Sequence, residues 1–280
     1  MNGEYQLINP VKESRYSLKP STIGKNYLSW PKLVDLSVIS IQGMDEDRAN
    51  ALINIEHDYL SKTMKSYFDP AITFDQFCSL QTGLSRVSAG FEPKKVREKA
   101  QKNDKFNQSN IQRYLFRPYD RRWCYYTSVP NVWKRSRPEL GKQLSENNSW
   151  LLSRASGVTQ PEGVPFSYTE NLFARDSMRG HAVAIPIYIN NSTLNKKDKP
   201  KEQAHLIEPK EIKPAANLSP FAQSYLESLE INNSDVDVHK TGLIWMHALA
   251  IGYSPAYLKE NADGIRKDWP RIPLPDNNEI

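Results

Sequence analysis

The sequence contains only two cysteines, Cys78 and Cys124, among 280 residues. They are far apart and belong to no CxxC pair or His/Cys cluster, so they offer no thiolate zinc site. Two isolated thiols are typical of a protein from a reducing cytoplasm. We therefore expect a cytoplasmic protein in which both thiols are buried.

Long apolar segments and nucleotide-binding loops are missing as well. No apolar run approaches the ~20 residues that a membrane helix needs, so we expect no membrane partner. Met1–Pro10 has neither the charged start nor the apolar centre of a signal peptide. The absence of a glycine-rich phosphate loop argues against an ATPase, and the absence of GxGxxG and G-x-S-x-G turns argues against dinucleotide binding and serine hydrolysis.

Positive charge is present, and it is concentrated in one part of the chain. The whole sequence carries a net charge of +5. The segment from Arg86 to Lys142 alone holds fifteen lysines and arginines against five acids, a net charge of +10, so the rest of the chain is acidic. A concentrated positive region attracts polyanions at long range, and nucleic acid is the first polyanion to consider.

The densest part of this segment combines arginines with aromatic rings. It comprises Arg117–Tyr126 (RPYDRRWCYY) and Trp133–Pro138 (WKRSRP). Arginine offers a planar fork of donors that fits phosphates and guanine edges, and aromatic rings offer faces on which bases stack. Two interpretations are open: a nucleic-acid interface, or a solvated basic surface beside a buried aromatic cluster.

Most of the candidate residues come from this basic segment, and Arg154, Arg175 and Arg179 are added because they lie beside later predicted loops. The predicted DNA contacts, all cationic except one tyrosine, are Arg121, Arg122, Lys134, Arg135, Arg137, Lys142, Arg154, Arg175, Arg179 and Tyr125. A second group is predicted to hold the motif's own structure: Arg117, Pro118, Asp120 and Trp123. Arg117 and Asp120 have opposite charges, and a pair between them is one way to hold the turn. Thr82 and Arg86 supply suitable chemistry from a separate loop.

The order of predicted elements indicates a mixed α/β fold, with a mixed sheet flanked by helices. Apolar spacing predicts a helix over Ser40–Lys65, with Asp45, Glu46 and Asp47 in its first turn. Further helices are predicted at Pro93–Lys102, Ser219–Glu230 and Thr241–Ile251. Strands are predicted at Ile111–Phe116, Cys124–Tyr126, Trp150–Arg154 and His181–Asn190. Pro186 places the last of these at a sheet edge, or else marks a strand end.

A Mg²⁺-dependent nuclease is one alternative for a DNA-binding chain. Restriction-type nucleases place an Asp ahead of Glu-x-Lys on a central strand, because the carboxylates hold the metal ion. Asp75 with Glu92-Pro93-Lys94 has these letters, and Glu208-Pro209-Lys210 repeats the second half. Both carry a proline where a central strand is required, which argues against a nuclease site.

Several motifs follow one another in the order found in a known family. They are Tyr16–Pro20 (YSLKP), Tyr27–Leu33 (YLSWPKL), Arg117–Arg122 (RPYDRR), Arg135–Glu139 (RSRPE), Trp150–Arg154 (WLLSR), Ala184–Tyr188 (AIPIY), Tyr253–Tyr257 (YSPAY) and Trp269–Leu274 (WPRIPL). In this order they resemble the C-terminal region of Type ISP restriction–modification enzymes and related single-chain N6-adenine DNA methyltransferases.

The resemblance implies a target-recognition, or specificity, domain that grips double-stranded DNA and reads its bases. In the complete enzymes an upstream methyltransferase flips an adenine and methylates it with S-adenosylmethionine. The Asn-Pro-Pro-Tyr motif and the glycine-rich cofactor loop of that methyltransferase are absent from this sequence. We therefore expect a chain that is not an enzyme on its own and holds no cofactor, and whose partners are DNA and a methyltransferase domain or subunit.

Two parts are expected within the chain. Residues 1–105 are predicted to form a partly helical N-terminal coupling region, and residues 106–280 a DNA target-recognition domain. The alternative to DNA reading is a protein-interaction module that couples the parts of a restriction–modification complex and touches DNA little.

Overall fold

The computed structural model describes residues 23–145, 148–160, 163–190 and 214–277. In these ranges the chain has a mixed α/β fold, as predicted. The strands are β1 Ile41–Gln42, β2 Ile53–Asn54, β3 Ile111–Arg117, β4 Asp120–Tyr125, β5 Trp150–Arg154, β6 Ser167–Thr169, β7 Leu172–Phe173, β8 Ala182–Pro186, β9 Tyr188–Ile189 and β10 Ala215–Ala216. The α-helices are α1 Lys25–Ser29, α2 His57–Phe68, α3 Phe74–Cys78, α4 Pro93–Asn103, α5 Pro138–Gly141, α6 Pro220–Ser228, α7 Val238–Gly252, α8 Pro255–Glu260 and α9 Ala262–Ile265.

The strands form two four-stranded sheets, where the sequence predicted one. The first sheet has the order β1-β8-β5-β6, and all its neighbours are antiparallel. The second has the order β2-β4-β3-β7 and is mixed, because β3 and β7 are parallel. Strands β9 and β10 form a separate antiparallel pair.

The first sheet lies between two hydrophobic cores. On β5, Trp150 and Leu152 belong to the core shared with the second sheet, whereas Leu151 belongs to the core beneath α6, α7 and α8. On β8, Ala184 and Ile185 divide between the same two cores. Successive side chains of a strand point to opposite faces, so a strand covered on both faces reads as an unbroken apolar run. Burial on both faces therefore explains the unbroken apolar runs at the two predicted strands that contain β5 and β8.

The predicted helix over Ser40–Lys65 is wrong over most of its length. The segment begins with β1, continues as a loop into β2, and becomes helical only at α2. Asp47, Ala49 and Asn50 have φ values of 49°, 51° and 60°, in the left-handed region that an α-helix does not use. The buried carboxylate of Glu46 holds this loop, because it accepts hydrogen bonds from three backbone N–H groups, those of Arg48, Asn50 and Leu52, at 2.8–2.9 Å. Side-chain hydrogen bonding therefore replaces the helical ladder here.

The other predicted elements agree more closely with the structure. Helices α4, α6 and α7 occupy the segments predicted for them. Pro186 is the last residue of β8, which lies between β1 and β5, so this proline marks a strand end and not a sheet edge.

The predicted boundary at residue 105 stays a prediction. Strand β1 pairs with β8, and β2 pairs with β4, so both sheets combine strands from either side of that boundary. Within the described ranges, every helix is too short or too polar to cross a membrane.

Candidate nucleic-acid interface

The basic aromatic motif forms a hairpin of β3 and β4, closed by the two-residue loop Pro118-Tyr119. Arg117 and Asp120 are Cα partners across the loop, and the register shifts between Leu115 and Arg117. Proline fixes its own φ near −65°, which suits the first loop position. Tyr119 takes the second position with φ 64°, a conformation that usually selects Gly or Asn. The loop therefore carries an aromatic ring where turn chemistry favours a small residue.

The ion pair at this turn differs from the one considered from the sequence. Asp120 pairs with Arg122, whose Nε and Nη2 donate to the carboxylate at 2.8–3.1 Å. Arg117 instead donates from Nη1 to the carbonyl of Phe116 at 2.8 Å, and its guanidinium lies 4.4 Å from the centre of the Phe116 ring. The Arg122 guanidinium lies 3.9 Å from the same ring. Charge pairing and stacking thus fix the hairpin end.

A cleft of about 530 Å³ lies between the hairpin end and strands β5 and β6. It brings together Arg121, Arg154 and Arg179, three predicted contacts from three separate segments of the chain. Arg121 and Arg179 are exposed, whereas Arg154 is only 1% exposed and contributes to the inner wall. The other polar and aromatic residues of the wall are Tyr119, Ser167, Tyr168, Thr169, Ser177 and Tyr253. Guanidinium, hydroxyl and aromatic groups together offer donors, acceptors and stacking faces for a nucleotide.

Arg122 belongs to the opposite side of the same hairpin. Adjacent residues of a strand point to opposite faces, so Arg121 reaches the cleft while Arg122 lines a second cavity of about 560 Å³. Thr82 and Arg86, the separate loop residues noted in the sequence, also line this second cavity. The predicted contacts are therefore divided between two faces.

Three further predicted contacts have acidic partners within the chain. Lys134 bonds to Asp47 at 2.8 Å, and Arg135 lies 3.5 Å from Asp45. Arg137 lies 3.6 Å from Glu139 and donates to the side chain of Gln42 at 2.6 Å. The acids at positions 45 and 47, predicted to begin a helix, thus face the basic segment across the β1–β2 loop. Pairing reduces the positive field that this part of the segment presents to solvent.

Lys142 and Arg175 lie away from the cleft wall. Lys142 is exposed just after α5, and its carbonyl accepts a hydrogen bond from Asn190 at 3.3 Å. Arg175 is half-buried in a short 3₁₀ turn, and its Nε is buried without a hydrogen-bond partner. Neither position adds to the convergence of arginines in the cleft.

The prediction that Tyr125 contacts DNA is wrong for this structure. Tyr125 has no exposed surface, and its hydroxyl accepts a hydrogen bond from the backbone of Asn107 at 3.1 Å. Its carbonyl accepts from the indole of Trp133 at 3.0 Å. Trp123 is half-buried beneath the guanidinium of Arg113, which lies 3.8 Å from the ring centre. These rings are packing residues, as the bland interpretation of the motif proposed.

Hydrogen bonding to a cation or burial shifts the pKa values of three carboxyl groups around the basic segment. A hydrogen bond from Arg122 holds the pKa of Asp120 below its usual 3.8, and Lys134 does the same for the pKa of Asp47. Burial raises the pKa of Glu46, against the opposing effect of its backbone hydrogen bonds. Asp47 and Asp120 are therefore ionised at neutral pH and balance the cations beside them.

The described residues give little support to metal chemistry. Within them, no three His, Cys, Asp or Glu side chains group closely enough to hold a metal ion. Glu92-Pro93-Lys94 lies at the start of α4, with Pro93 as its first residue, and not on a central strand. Glu208-Pro209-Lys210 lies outside the described residues, as does the Tyr16–Pro20 motif.

Residues 39–280 match the sequence profile of the Type ISP C-terminal specificity domain. This chain belongs to that family. No curated protein matches the sequence of this specificity domain.

Solved structures with the same fold include three larger chains that were solved with DNA or a DNA mimic. One is a DrdV–DNA complex, with 14% identity and a TM-score of 0.63 over 98% of this chain. The second is a nuclease-deletion mutant of the Type ISP restriction-modification enzyme LlaGI with a DNA substrate mimic, with 16% identity and a TM-score of 0.53 over 98%. The third is the ATP-dependent Type ISP enzyme LlaBIII bound to DNA, with 16% identity and a TM-score of 0.58 over 90%. The specificity domain spans 26%, 24% and 16% of those chains, respectively.

The terminal motifs of this specificity domain serve packing. Arg271 donates from Nη1 to the carbonyls of Leu28 and Trp30 at 3.2 and 2.6 Å, and Leu33 donates its backbone N–H to Pro270 at 2.9 Å. The WPRIPL motif is thereby fastened to the YLSWPKL motif near the start of the described chain. In the YSPAY motif, the Ser254 side chain caps α8 and Tyr257 is buried.

Sequence reasoning missed the exposed tyrosines of the cleft. Tyr119, Tyr168 and Tyr253 are 96%, 51% and 54% exposed. Tyr119 could have been found, because it occupies a turn position next to proline where a bulky residue is unusual. Tyr168 on β6 and Tyr253 just after α7 line the same cleft although they are far apart in the sequence, and no local pattern indicates this.

Proposed function

We propose that this chain binds double-stranded DNA and reads its sequence, as the specificity portion of a restriction–modification DNA methyltransferase. The cleft of Arg121, Arg154 and Arg179 is the part of the surface that faces DNA. The observation that carries the proposal is the convergence of these arginines from three segments beside exposed tyrosines. Phosphate contacts orient such a domain, and contacts to base edges supply its sequence preference.

The comparisons support the same proposal. The chain belongs to a specificity-domain family, and the similar solved structures are complexes with DNA or a DNA mimic. Because the chain spans only about a quarter or less of those proteins, methylation and cleavage are assigned to other parts of the system. We infer that a cytoplasmic methyltransferase domain or subunit is its protein partner, and that S-adenosylmethionine binds there.

Electrophoretic retention of random duplex DNA at two salt concentrations, with and without Mg²⁺, tests the proposal. We expect retention that weakens with salt, because each phosphate contact releases condensed counterions. We expect no cleavage with Mg²⁺. Loss of retention at low salt would contradict DNA binding, and Mg²⁺-dependent cutting would support the nuclease alternative.

Arg121→Ala and Lys142→Ala form a matched pair for locating the interface. Both side chains are exposed cations of the basic segment, but only Arg121 lines the cleft. If Arg121 contacts a phosphate, its removal should lower the salt slope by roughly one for every duplex. If it reads a base, binding to the preferred sequence should weaken by ~1–3 kcal/mol and specificity at one position should relax. If Arg121→Ala and Lys142→Ala change DNA binding equally, the cleft is not the DNA interface.

A coupling module with little DNA contact is the second candidate function, and an apolar groove favours it. The groove, of about 350 Å³, lies between α6, α7 and the closing segment, and Leu243 and Met246 on its wall are 39% and 56% exposed. Exposed apolar surface of this kind is common at protein interfaces. Met246→Glu should weaken co-purification with the methyltransferase partner and leave DNA retention unchanged. The opposite result would assign this face to DNA binding.

A further inference from the structure

The end of the β3–β4 hairpin exposes an aromatic ring that nothing in the described chain requires. Tyr119 is 96% exposed, so its ring gains almost no burial from this fold. Its φ of 64° costs a bulky residue free energy that glycine would avoid. A glycine in place of Tyr119 would therefore make the folded hairpin more stable. Strained residues that make few internal contacts are concentrated at binding sites. We therefore expect Tyr119 to contact a partner outside the chain.

The hairpin end is also stiff. The Pro118 ring fixes its backbone on one side of the tyrosine, and the bidentate Arg122–Asp120 pair holds the strand on the other. Arg117 and Arg122 both stack on the Phe116 ring below the turn. A stiff support lowers the entropy lost when the ring is inserted into a partner.

Positive charge lies immediately beside the ring. The guanidinium of Arg121 is exposed at the cleft and makes no hydrogen bond or ion pair with the described residues. An aromatic ring with an exposed proline before it and a free guanidinium after it matches the chemistry of a base stack bordered by phosphates. Proteins that kink duplexes insert apolar side chains, including proline, between base steps while cations hold the flanking backbone.

We propose that Tyr119 is a wedge that enters the base stack of the bound duplex, with Arg121 on a neighbouring phosphate. This proposal rests on the proposed function, since it requires the cleft face to meet DNA. The ring stacks on one base and unstacks the neighbouring step, and Pro118 widens the opening. Tyr119 thereby couples DNA binding to a local deformation, and sequences whose steps unstack easily are bound more tightly.

Tyr119→Gly tests the wedge without endangering the fold. Glycine suits φ 64°, so we expect thermal stability equal to or above that of the wild type. The probe is a short duplex selected from random DNA with the wild-type chain, carrying 2-aminopurine in place of adenine at successive positions. Its fluorescence rises where a base loses stacking. Tyr59→Ala, at a 52% exposed tyrosine of α2 that does not line the cleft, is the control.

The wild type and Tyr59→Ala should raise the fluorescence at one step, and Tyr119→Gly should abolish this rise and bind about tenfold more weakly. Tyr119→Phe should behave as the wild type, because the ring is retained. Two results would overturn the wedge and leave DNA binding intact. In the first, the wild type binds DNA in a salt-sensitive way but raises the fluorescence at no position. In the second, Tyr119→Gly binds DNA with the same affinity as the wild type. No retention of duplex by the wild type would overturn both the wedge and DNA binding.

Discussion

Arg97 gives the sharpest test of how the basic segment divides between folding and binding. It belongs to the segment of net charge +10, yet it is only 4% exposed, in the interior of α4. Its Nε donates to the carbonyl of Tyr67 at 2.8 Å, and its Nη2 lies 2.8–3.1 Å from the carbonyls of Ser66, Asp69 and Ile72. This arginine therefore serves the end of α2 and the turn that follows.

The need for such a donor arises from the sequence at the end of α2. The last carbonyls of a helix have no intrahelical partner, and the residue four places after Ser66 is Pro70, which has no N–H to donate. Gln101 also donates to Tyr67 and Asp69, at 3.3 and 2.9 Å, so these two carbonyls keep a partner without Arg97. The carbonyls of Ser66 and Ile72 have no such substitute in the described hydrogen bonds.

Arg97→Met keeps the apolar stem and removes the donors. Two carbonyls left without partners cost about 1–3 kcal/mol each, so we expect the free energy of unfolding to fall by about 2–6 kcal/mol. That is a large part of the 5–15 kcal/mol typical of a folded domain. Arg97→Lys should lose less than the methionine variant, because one ammonium group replaces some of the fork's hydrogen bonds.

Urea unfolding followed by circular dichroism measures the change, with Lys99→Met as the matched control. Lys99 is two residues further along the same helix and exposed, so its replacement should leave the urea midpoint nearly unchanged. The reasoning is refuted if both methionine variants unfold at the same urea concentration. It is also refuted if Arg97→Met keeps its stability and loses DNA binding, since Arg97 would then be an interface residue.

Three further outcomes are expected. Asp120→Asn should lower the free energy of unfolding at pH 7 by no more than about 1 kcal/mol. Because Arg122 depresses the pKa of the Asp120 carboxyl in the folded state, the difference between the variant and the wild type should disappear as the pH falls below about 4. Urea unfolding at a series of pH values measures this change. A thiol reagent should modify Cys78, which is partly exposed, in the native protein, and Cys124 only in denaturant, because complete burial raises the pKa of that thiol. Gly43→Ala should cost about 1–3 kcal/mol in thermal or urea unfolding, since its Cβ would lie 2.6 Å from a backbone nitrogen that has no room to move aside.

Much of the fold is predictable because its strongest signals are local. The apolar runs of β5 and β8 reflect burial on both faces. Ser254-Pro255 marks the start of α8, because serine is the N-cap and proline is the first helical residue. The segment from Ser40 to Lys65 was predicted wrongly because its apolar spacing fits a helix, whereas its structure depends on distant partners. Ile53 pairs with Cys124, and the Glu46 carboxylate replaces helical hydrogen bonds. The prediction that both thiols are buried holds for Cys124 and is wrong for Cys78.

The candidate site is predicted less accurately than the fold, because amino-acid composition does not show which charged side chains pair with each other. Arg121 and Arg122 are indistinguishable in sequence, yet one lines the cleft and the other bonds to Asp120 on the opposite face. Lys134 is neutralised by Asp47, 87 residues earlier in the chain. Tyr125 adjoins the arginines in sequence, yet its ring is buried against Phe68 and Phe106.

The salt dependence of DNA binding reports how many of the predicted cations contact phosphate. Each neutralised phosphate contributes about −0.9 to the slope of log K against log salt. If only Arg121 and Arg179, the exposed arginines of the cleft, contact phosphate, the slope should be about −2. If Lys134, Arg135 and Arg137 exchange their carboxylate partners for phosphates, the slope approaches about −4 to −5, with a desolvation cost for the acids left behind. Because Asp45 and Asp47 hold two of these three cations, we expect the smaller slope, and with it an interface whose affinity depends more on shape and stacking than on charge.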